Sequence, residues 1–296
     1  MHKFAVIGDP VKHSLSPALH RWIFKSLNLD ASYNSLHCKT EDLPGIAENL
    51  RCNELQGINI TIPHKVSIIP FLDDLNIKAQ HIGAVNCVVS RDKYLVGFNT
   101  DWYGFSMALR AYAVDVRGGD FFVLGAGGAA RSILYTLLRE GAKSVIVINQ
   151  PGERSDRLIR DMAKFKASSL LDVKSYEALT NLPEGAVIIN CTPVGMHPGI
   201  DACPIDETLL SPSHTVVDTI YTPLETQLLR QASRIGAKTL NGLNMFIYQA
   251  LASLDLWFDE EISPRVDLRG LKEHLEDSIA QNEQAASNIQ HPTSNI

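Results

Sequence analysis

The amino-acid sequence predicts an α/β protein of two domains with largely parallel sheets. Short β-like runs alternate with amphipathic stretches along most of the 296-residue chain, which is the pattern of strands joined by helices. A glycine-rich turn separates a strand-like run from a helix-like run near residue 125. The apolar fraction of 45% and the charged fraction of 20% are those of a globular protein.

The first unit contains five β-like runs and one well-marked helix. Its predicted strands are FAVIG (4–8), ASYNSLHC (31–38), GINITI (57–62), AVNCVV (84–89) and YLVGFN (94–99). Apolar residues recur at helical spacing through residues 17–29, which predicts a helix there. Ser16 stands where an N-cap is expected, and Pro17 occupies the first turn, which tolerates a missing N–H.

A second unit begins near residue 103 and repeats the alternation. Its predicted strands include residues 143–149, AVIINCTPVGM (186–196) with a polar end, and HTVVDTIYTP (214–223). From Gly242 a strongly apolar helical stretch follows, and we expect it to be well buried. We therefore expect units at 1–102 and 103–241, C-terminal helices at 242–276, and a polar, disordered tail at 277–296.

The composition of the chain argues against several classes of binding partner and several locations in the cell. A formal net charge of −6 argues against nucleic acid or an anionic membrane as a partner. No run approaches the roughly 18 apolar residues of a membrane span, and the N-terminus lacks the apolar segment of a secretion signal. The five cysteines are scattered without metal-site spacing, so we expect reduced thiols, no metal, and a cytoplasmic protein.

The stretch VLGAGGAA (123–130) predicts a dinucleotide site. Gly125 permits the tight turn, Gly127 lets the backbone approach a pyrophosphate, and the small Ala130 allows close packing of helix against strand. The helix that starts there presents free N–H groups to an anion. A glycine turn that only packs is the structural alternative.

The choice of dinucleotide depends on the end of the next strand. An acidic residue there would bind the ribose hydroxyls of NAD, but this chain has Asn149, with Arg154 five residues on. An amide and a cation suit the 2′-phosphate of NADP. Gln150 and Pro151 add no charge, and Glu153 can offset Arg154, so NAD stays open as an alternative.

Polar residues follow the strands of the first unit. In NITIPHK (59–65), Asn59 and Thr61 share one face of a strand, Ile62 belongs to the other face, and Lys65 follows the strand at its carboxyl edge. Open α/β sheets bind ligands at that edge. The alternative is that the two polar residues cap a turn and that Lys65 is a surface charge.

Three further stretches favour a binding site. KHSLSP (12–17) places Ser14 and Ser16 at a helix start, which suits a carboxylate ligand. Asn86 ends GAVN (83–86), and Asp101 follows a strand in FNTDWYG (98–104). Hydroxyls, amides, one lysine and one aspartate at strand ends form a set that can bind and oxidise a polyol.

Eight ordered motifs resemble the signature blocks of the shikimate dehydrogenase family. They are SLSP, NITIPHK, GAVN, NTD, GAGGAA, NCTPVGM, DTIYTP and GLNMFIYQA, and the similarity spans roughly residues 3–272. The resemblance implies an N-terminal substrate domain, a Rossmann-like cofactor domain and a C-terminal helical return to the first domain, with the active site in the cleft between the domains.

The resemblance also implies roles for individual residues. Lys65 and Asp101 would form the catalytic pair. The substrate carboxylate would be held by Ser14 and Ser16 with Tyr221 nearby, and the ring hydroxyls by Asn59, Thr61, Asn86 and Gln249. The cofactor would contact Gly125, Ala126, Gly127, Gly128 and Ala129 through its pyrophosphate, Asn149 and Arg154 at the adenosine ribose, and Thr219 and Gly242 at the nicotinamide.

The implied reaction is reversible reduction of 3-dehydroshikimate to shikimate with NADPH, in aromatic amino acid biosynthesis by a monomer or homodimer. Gln150 and Pro151 depart from the family's Asn-Arg-Thr pattern, and Ile77 replaces a residue that is often acidic. A quinate/shikimate dehydrogenase using NAD or both cofactors is the nearest alternative; Ser16 favours shikimate, because quinate-preferring relatives often have Thr there. A catalytically silent dinucleotide-binding sensor is the alternative of another class.

Overall fold

The computed structural model describes residues 1–12 and 14–290, apart from the side chains of residues 285–290. Residues 2–98 form one six-stranded sheet and residues 120–240 form a second. The first unit contains β1 (His2–Gly8), α1 (Ser16–Ser26), β2 (Ala31–His37), α2 (Leu43–Arg51), β3 (Gly57–Ile60), β4 (Asp74–Leu75), α3 (Ile77–Ile82), β5 (Cys87–Arg91) and β6 (Tyr94–Phe98).

The rest of the chain contains α4 (Asp101–Ala111), β7 (Asp120–Leu124), α5 (Gly128–Glu140), β8 (Ser144–Ile148), α6 (Glu153–Met162), β9 (Leu170–Lys174), β10 (Val187–Asn190), β11 (Thr215–Asp218), α7 (Gln227–Ile235), β12 (Lys238–Leu240), α8 (Leu243–Phe258) and α9 (Leu268–Gln290). The boundary expected at residues 102–103 falls inside α4, so this helix continues directly from the first unit.

The first sheet is mixed, with strand order β2-β1-β3-β5-β6-β4. Its first three strands are parallel, while β5 runs antiparallel to both β3 and β6. The hairpin between β5 and β6 turns at Asp92 and Lys93, both with positive φ, which matches the twist of paired strands. The parallel pairing brings the carboxyl ends of β1 and β3 to one edge of the sheet.

The second sheet is wholly parallel, with strand order β12-β11-β10-β7-β8-β9. Counted within this unit the order is 6-5-4-1-2-3, the doubly wound order of dinucleotide-binding folds. Strands β8 and β10 are fully buried, as expected for a sheet covered by helices on both faces. The predicted α/β class is confirmed.

The two units meet through α4 and α5. Ser132 of α5 donates a hydrogen bond to the side-chain oxygen of Asn99, over 3.1 Å. The buried guanidinium of Arg131 bonds both the carbonyl oxygen of Ile82 and the carboxylate of Asp161. The contact between the units therefore includes one hydrogen bond between two side chains and one from a side chain to a backbone carbonyl.

The C-terminal helices return to the first sheet, as predicted. Helix α8 and helix α9 share one apolar core with β1 and α1, and that core includes Phe4, Leu19, Ile23, Leu254, Leu271 and Leu275. Trp257 stacks on Phe4 with ring centroids 4.5 Å apart. These helices close the face of the first sheet that would otherwise lie open.

The expectation of a disordered tail from residue 277 was wrong for residues 277–290, which belong to α9. Leu271, Leu275 and Ile279 recur every fourth residue and are at most 1% exposed, because they pack against the first unit. One apolar residue per turn is enough to hold a helix when a partner surface is present. The remainder of the expected tail, residues 291–296, lies outside the described residues.

Replacing Ile279 with alanine should lower the free energy of unfolding by about 2–4 kcal/mol, because it removes buried methyl groups and leaves a cavity. Urea unfolding measures this loss. Asp277→Ala, on the exposed side of the same helical turn, is the control and should change stability by no more than about 0.5 kcal/mol. An Ile279→Ala variant as stable as the control would contradict the packing of this part of α9.

Candidate active site

The turn after β3 carries Lys65 into the space between the two sheets. The strand ends at Ile60, two residues earlier than expected, and Ile62 is 55% exposed, so Ile62 does not fill the apolar face as predicted. His64 is fully buried, and its Nε2 hydrogen-bonds the carbonyl oxygen of Cys38 over 2.5 Å. The Lys65 carbonyl accepts from the Val85 amide at 2.7 Å. The backbone around Lys65 is thus anchored on both sides.

Lys65 and Asp101 form an ion pair. The Nζ–Oδ2 distance is 2.6 Å, and the two side chains are 15% and 6% exposed. Asp101 is the first residue of α4, where the free N–H groups of the helix favour a carboxylate. An ammonium group held by a carboxylate in a partly enclosed place can donate a proton to a neighbouring oxygen and be oriented while it does so.

Asn86 joins three elements at this pair. Its Oδ1 accepts from the Thr100 amide at 2.6 Å. Its Nδ2 lies within hydrogen-bonding distance of Thr100 Oγ1, Asp101 Oδ1 and Gln249 Oε1, at 2.8, 2.9 and 3.1 Å. Thr100, which was not singled out from the sequence, therefore belongs to the same cluster as the residues that were.

Asn59 joins this cluster by donating from Nδ2 to the Asn86 carbonyl oxygen, and Thr61 follows it by two residues. Asn59 is 6% exposed and hydrogen-bonded through both ends of its carboxamide. Thr61 is half-buried, and its amide donates to the Ile7 carbonyl oxygen. Its methyl group packs so closely against Gly8 that a Cβ at position 8 would not fit. The close approach at Gly8 brings the end of β1 against Thr61.

The two serines of SLSP are also adjacent. Ser14 Oγ lies 3.2 Å from Ser16 Oγ and accepts from the Ser16 amide. The expected N-capping by Ser16 was wrong, because Ser16 is the first residue of α1 and Leu15 precedes it without a side-chain cap. The ring of Tyr221 stacks on that of Phe246, with ring centroids 4.2 Å apart. Burial raises the pKa of Tyr221 to about 12, and a hydrogen bond with Ser14 acts in the opposite direction.

The glycine turn borders Lys65. Gly125 has φ +95°, the left-handed conformation that a tight turn between β7 and α5 requires. A Cβ on Gly128 would lie 3.1 Å from Cβ of Lys65, so the start of α5 and the lysine are in direct contact. The free N–H groups of the first turn of α5 therefore open next to the ion pair.

Arg154 lies over the same turn. Its Nε donates to the carbonyl oxygen of Ala126 at 3.1 Å, and its Nη2 is 3.4 Å from where a Cβ of Gly127 would be. Asn149, at the end of β8, donates from Nδ2 to the Gln150 carbonyl, which leaves its side-chain oxygen open. The turn, helix N–H groups and guanidinium together fit an anion with several phosphate oxygens.

A second buried network holds the loops that follow β10 and β11. The Asp218 carboxylate accepts from Asn190 Nδ2, the Ile220 amide and Thr226 Oγ1, and burial raises the pKa of Asp218 to about 6. Thr219 donates to the Asn190 carbonyl at 2.9 Å. Gly242 lies directly against the Thr219 carbonyl, with no room for a side chain. Neither Asn190 nor Asp218 was singled out from the sequence.

Within residues 1–12 and 14–290, no group of three His, Cys, Asp or Glu side chains is arranged to hold a metal ion. None of the described helices combines the length and the apolar character that crossing a membrane requires.

The chain is similar to known proteins over most of its length. A family model described as the shikimate dehydrogenase substrate binding domain matches residues 6–88. The shikimate dehydrogenase (NADP(+)) of Symbiobacterium thermophilum is 39% identical over 257 residues, which cover 86% of this chain and 87% of that protein.

Two solved structures are similar over nearly the whole chain. A shikimate dehydrogenase in complex with NADP+ superposes with a TM-score of 0.85 at 33% identity, covering 94% of this chain and 96% of its own. A shikimate 5-dehydrogenase from Thermus thermophilus, in complex with NADP(H) and shikimate, gives a TM-score of 0.81 at 35% identity and covers 93% and 98%. The chain belongs to the shikimate dehydrogenase family.

Proposed function

We propose that this protein is a shikimate dehydrogenase, which reduces 3-dehydroshikimate to shikimate with NADPH, reversibly, in aromatic amino acid biosynthesis. The observation that carries the proposal is the ion pair of Lys65 and Asp101, 2.6 Å apart and in contact with the glycine turn. Relatives named shikimate dehydrogenase (NADP(+)) and related structures with shikimate and NADP(H) support the same reaction.

The unit at 1–102 would bind the substrate, helped by the helices that return to it. Ser14 and Ser16 would hold the carboxylate through their hydroxyls, with Tyr221 close by. The ring hydroxyls would meet Asn59, Thr61, Asn86 and Gln249; of these, Asn86 is hydrogen-bonded to Asp101, to Gln249 and, through its carbonyl oxygen, to Asn59.

The unit at 103–241 would bind the cofactor. Residues Gly125 to Ala129 would wrap the pyrophosphate, since the turn between β7 and α5 has no side chain at Gly125, Gly127 or Gly128 and leads into the free N–H groups of the first turn of α5. Thr219 and Gly242 would flank the nicotinamide on the loops that Asp218 holds. The bound NADPH supplies the hydride that reaches substrate C3.

Lys65 would move the proton. As an ammonium group it donates to the C3 oxygen when that oxygen gains negative charge, and as an amine it accepts the hydroxyl proton in the reverse direction. Asp101 orients Lys65 through the short contact between Oδ2 and Nζ, and it would bind a neighbouring substrate hydroxyl through Oδ1, which also accepts from Asn86 Nδ2. The nearly buried position of the pair keeps water away from the proton transfer.

The cofactor would be NADP, with NAD the weaker alternative. Arg154 lies across the glycine turn, and Asn149 has a free oxygen at the end of β8, where an NAD enzyme would place a carboxylate. A guanidinium in this position would form a much stronger, charge-assisted interaction with a 2′-phosphate than with a bare hydroxyl.

Steady-state kinetics with two acids and two cofactors test the proposal. We expect kcat/KM with shikimate and NADP+ to exceed the values for the other three combinations of shikimate or quinate with NADP+ or NAD+. Arg154→Ala should remove most of the preference for NADP+ and leave the KM for shikimate unchanged. Equal or greater efficiency with quinate would overturn the substrate assignment. Absence of NADPH formation at high enzyme concentration would favour a silent dinucleotide sensor.

A further inference from the structure

The carboxamide of Asn59 is held in a single orientation. Its Nδ2 is 3.2 Å from the Asn86 carbonyl oxygen and 3.0 Å from Ser253 Oγ, while its Oδ1 is 2.8 Å from Tyr33 Oη. A carbonyl oxygen can only accept, so the atom facing it must be the nitrogen. Tyr33 must then donate to Oδ1.

This arrangement uses both N–H groups of Asn59. Only the side-chain oxygen Oδ1 can then hydrogen-bond a ligand, and it can do so only as an acceptor. Burial lowers the pKa of His20 to about 3, and the nearby Asn59 carboxamide acts in the opposite direction. Neither ring nitrogen of His20 reaches hydrogen-bond geometry with a described residue. Asn59 can therefore accept a hydrogen bond from a ligand hydroxyl and cannot donate one to a ligand carbonyl.

Ser253 connects Asn59 to the rest of the site. It is fully buried on α8, one turn after Gln249, and donates to the Gln249 carbonyl at 3.0 Å. Thr100 Oγ1, which accepts from Asn86, lies 3.2 Å from Ser253 Oγ. Because the single hydroxyl proton of Ser253 is donated to Gln249, Thr100 must be the donor in its contact with Ser253. One hydroxyl thus fixes Asn59 relative to residues that would contact the substrate.

Tyr33 reaches Asn59 from the opposite side. Its ring is 1% exposed and stacks on His20 with centroids 4.1 Å apart, so the ring is held by packing and the hydroxyl by Asn59. Burial raises the pKa of Tyr33, and a hydrogen bond with Ser16 acts in the opposite direction. The phenol is therefore a neutral donor placed between the serine that would hold the carboxylate and the amide that would hold a hydroxyl.

We propose that Tyr33 and Ser253 are positioning residues that hold Asn59 as an obligatory hydrogen-bond acceptor for a hydroxyl of the substrate. This inference rests on the proposed dehydrogenase function. An acceptor of this kind fits a hydroxyl that both shikimate and 3-dehydroshikimate keep, and not the C3 oxygen, which becomes a carbonyl. Lys65, a donor, is the group suited to the C3 oxygen.

Tyr33→Phe tests the inference, because it removes one oxygen and keeps the stacked ring. We expect the KM for shikimate to rise about tenfold, the scale of one lost hydrogen bond that leaves a buried group unpaired. The contact exists in both ground and transition states, so kcat and the KM for NADP+ should change little. Tyr135→Phe, at a buried tyrosine packed between Trp102 and Phe165, is the matched control and should leave all three constants unchanged.

A double-mutant cycle separates positioning from general packing. If Tyr33 acts through Asn59, then Tyr33→Phe added to Asn59→Ala should not raise the KM further, whereas a packing defect would persist in both backgrounds. Ser253→Ala should show the same dependence on Asn59 and provides the test if Tyr33→Phe fails to fold.

Two results would overturn the inference: an unchanged KM in both single variants, or an equal rise in KM with and without Asn59. Either result leaves the proposed reaction standing if the wild-type enzyme oxidises shikimate. Failure of the wild-type enzyme to oxidise shikimate with either cofactor would instead overturn the proposed function, on which the inference rests.

Discussion

Replacing Lys65 with alanine should lower kcat for shikimate oxidation by about 10²–10⁴-fold, the usual contribution of a positioned acid or base. The variant keeps the glycine turn, the serines and the amides, so the Kd of shikimate should stay within severalfold of the wild-type value. Stopped-flow measurement of NADPH formation gives kcat, and quenching of protein fluorescence gives the Kd.

Lys143→Ala is the matched control, because Lys143 also pairs with an aspartate, Asp120, at 2.9 Å. That pair lies in the second unit, with side chains 68% and 22% exposed, and its loss should leave kcat unchanged. A Lys65→Ala variant with nearly full kcat would show that another group moves the proton. Loss of shikimate binding in that variant would assign Lys65 to binding instead of catalysis.

Local sequence patterns predicted the parts of the fold that local chemistry determines. The tight turn at Gly125 needs a positive φ, and the small residues after it allow α5 to start against β7, so glycine spacing alone located the turn. The alternation of elements likewise predicted the parallel second sheet. Lys65 and Asp101 were found because each follows a strand at the edge where ligands bind, and the structure places them 2.6 Å apart.

Contacts between parts of the chain that are far apart in sequence could not be predicted from local sequence patterns. Tyr33 and Ser253, which hold Asn59, are 26 and 194 positions away from it, and nothing in the local sequence of either marks the partnership. The helix over residues 277–290 was missed for the same reason. Its single apolar row through Ile279 is too sparse to predict a helix until the surface it packs against is known.

Gly242→Ala should be among the most destabilising single substitutions that add only one methyl group. Gly242 has φ −76° and ψ −5°, which alanine adopts without strain, so the cost is steric. A Cβ there would overlap the carbonyl group of Thr219 and lie 2.9 Å from the Ile220 carbonyl oxygen. Backbone atoms cannot rotate away as a side chain can, and overpacking of this kind costs about 1–3 kcal/mol or more.

Displacing the segment around Thr219 would impair cofactor binding as well as lower stability. Thr219 is bonded to Asn190, and the Ile220 amide is bonded to the buried Asp218, so a shift at Gly242 would disturb the loop proposed to flank the nicotinamide. We expect urea unfolding at a lower midpoint and a raised KM for NADP+, with the KM for shikimate affected less.

Gly45→Ala makes the same chemical change at another position and should raise stability instead of lowering it. Gly45 lies in α2 with no atom within 4 Å of a built Cβ, so alanine should stabilise the protein by about 0.5–1 kcal/mol through its higher helix propensity. Opposite signs for the two glycines would show that the backbone contact at Gly242, and not loss of glycine as such, causes the damage. A Gly242→Ala variant as stable as the wild type would mean that the start of α8 can move away from Thr219, and that the cofactor loop is not held by this contact.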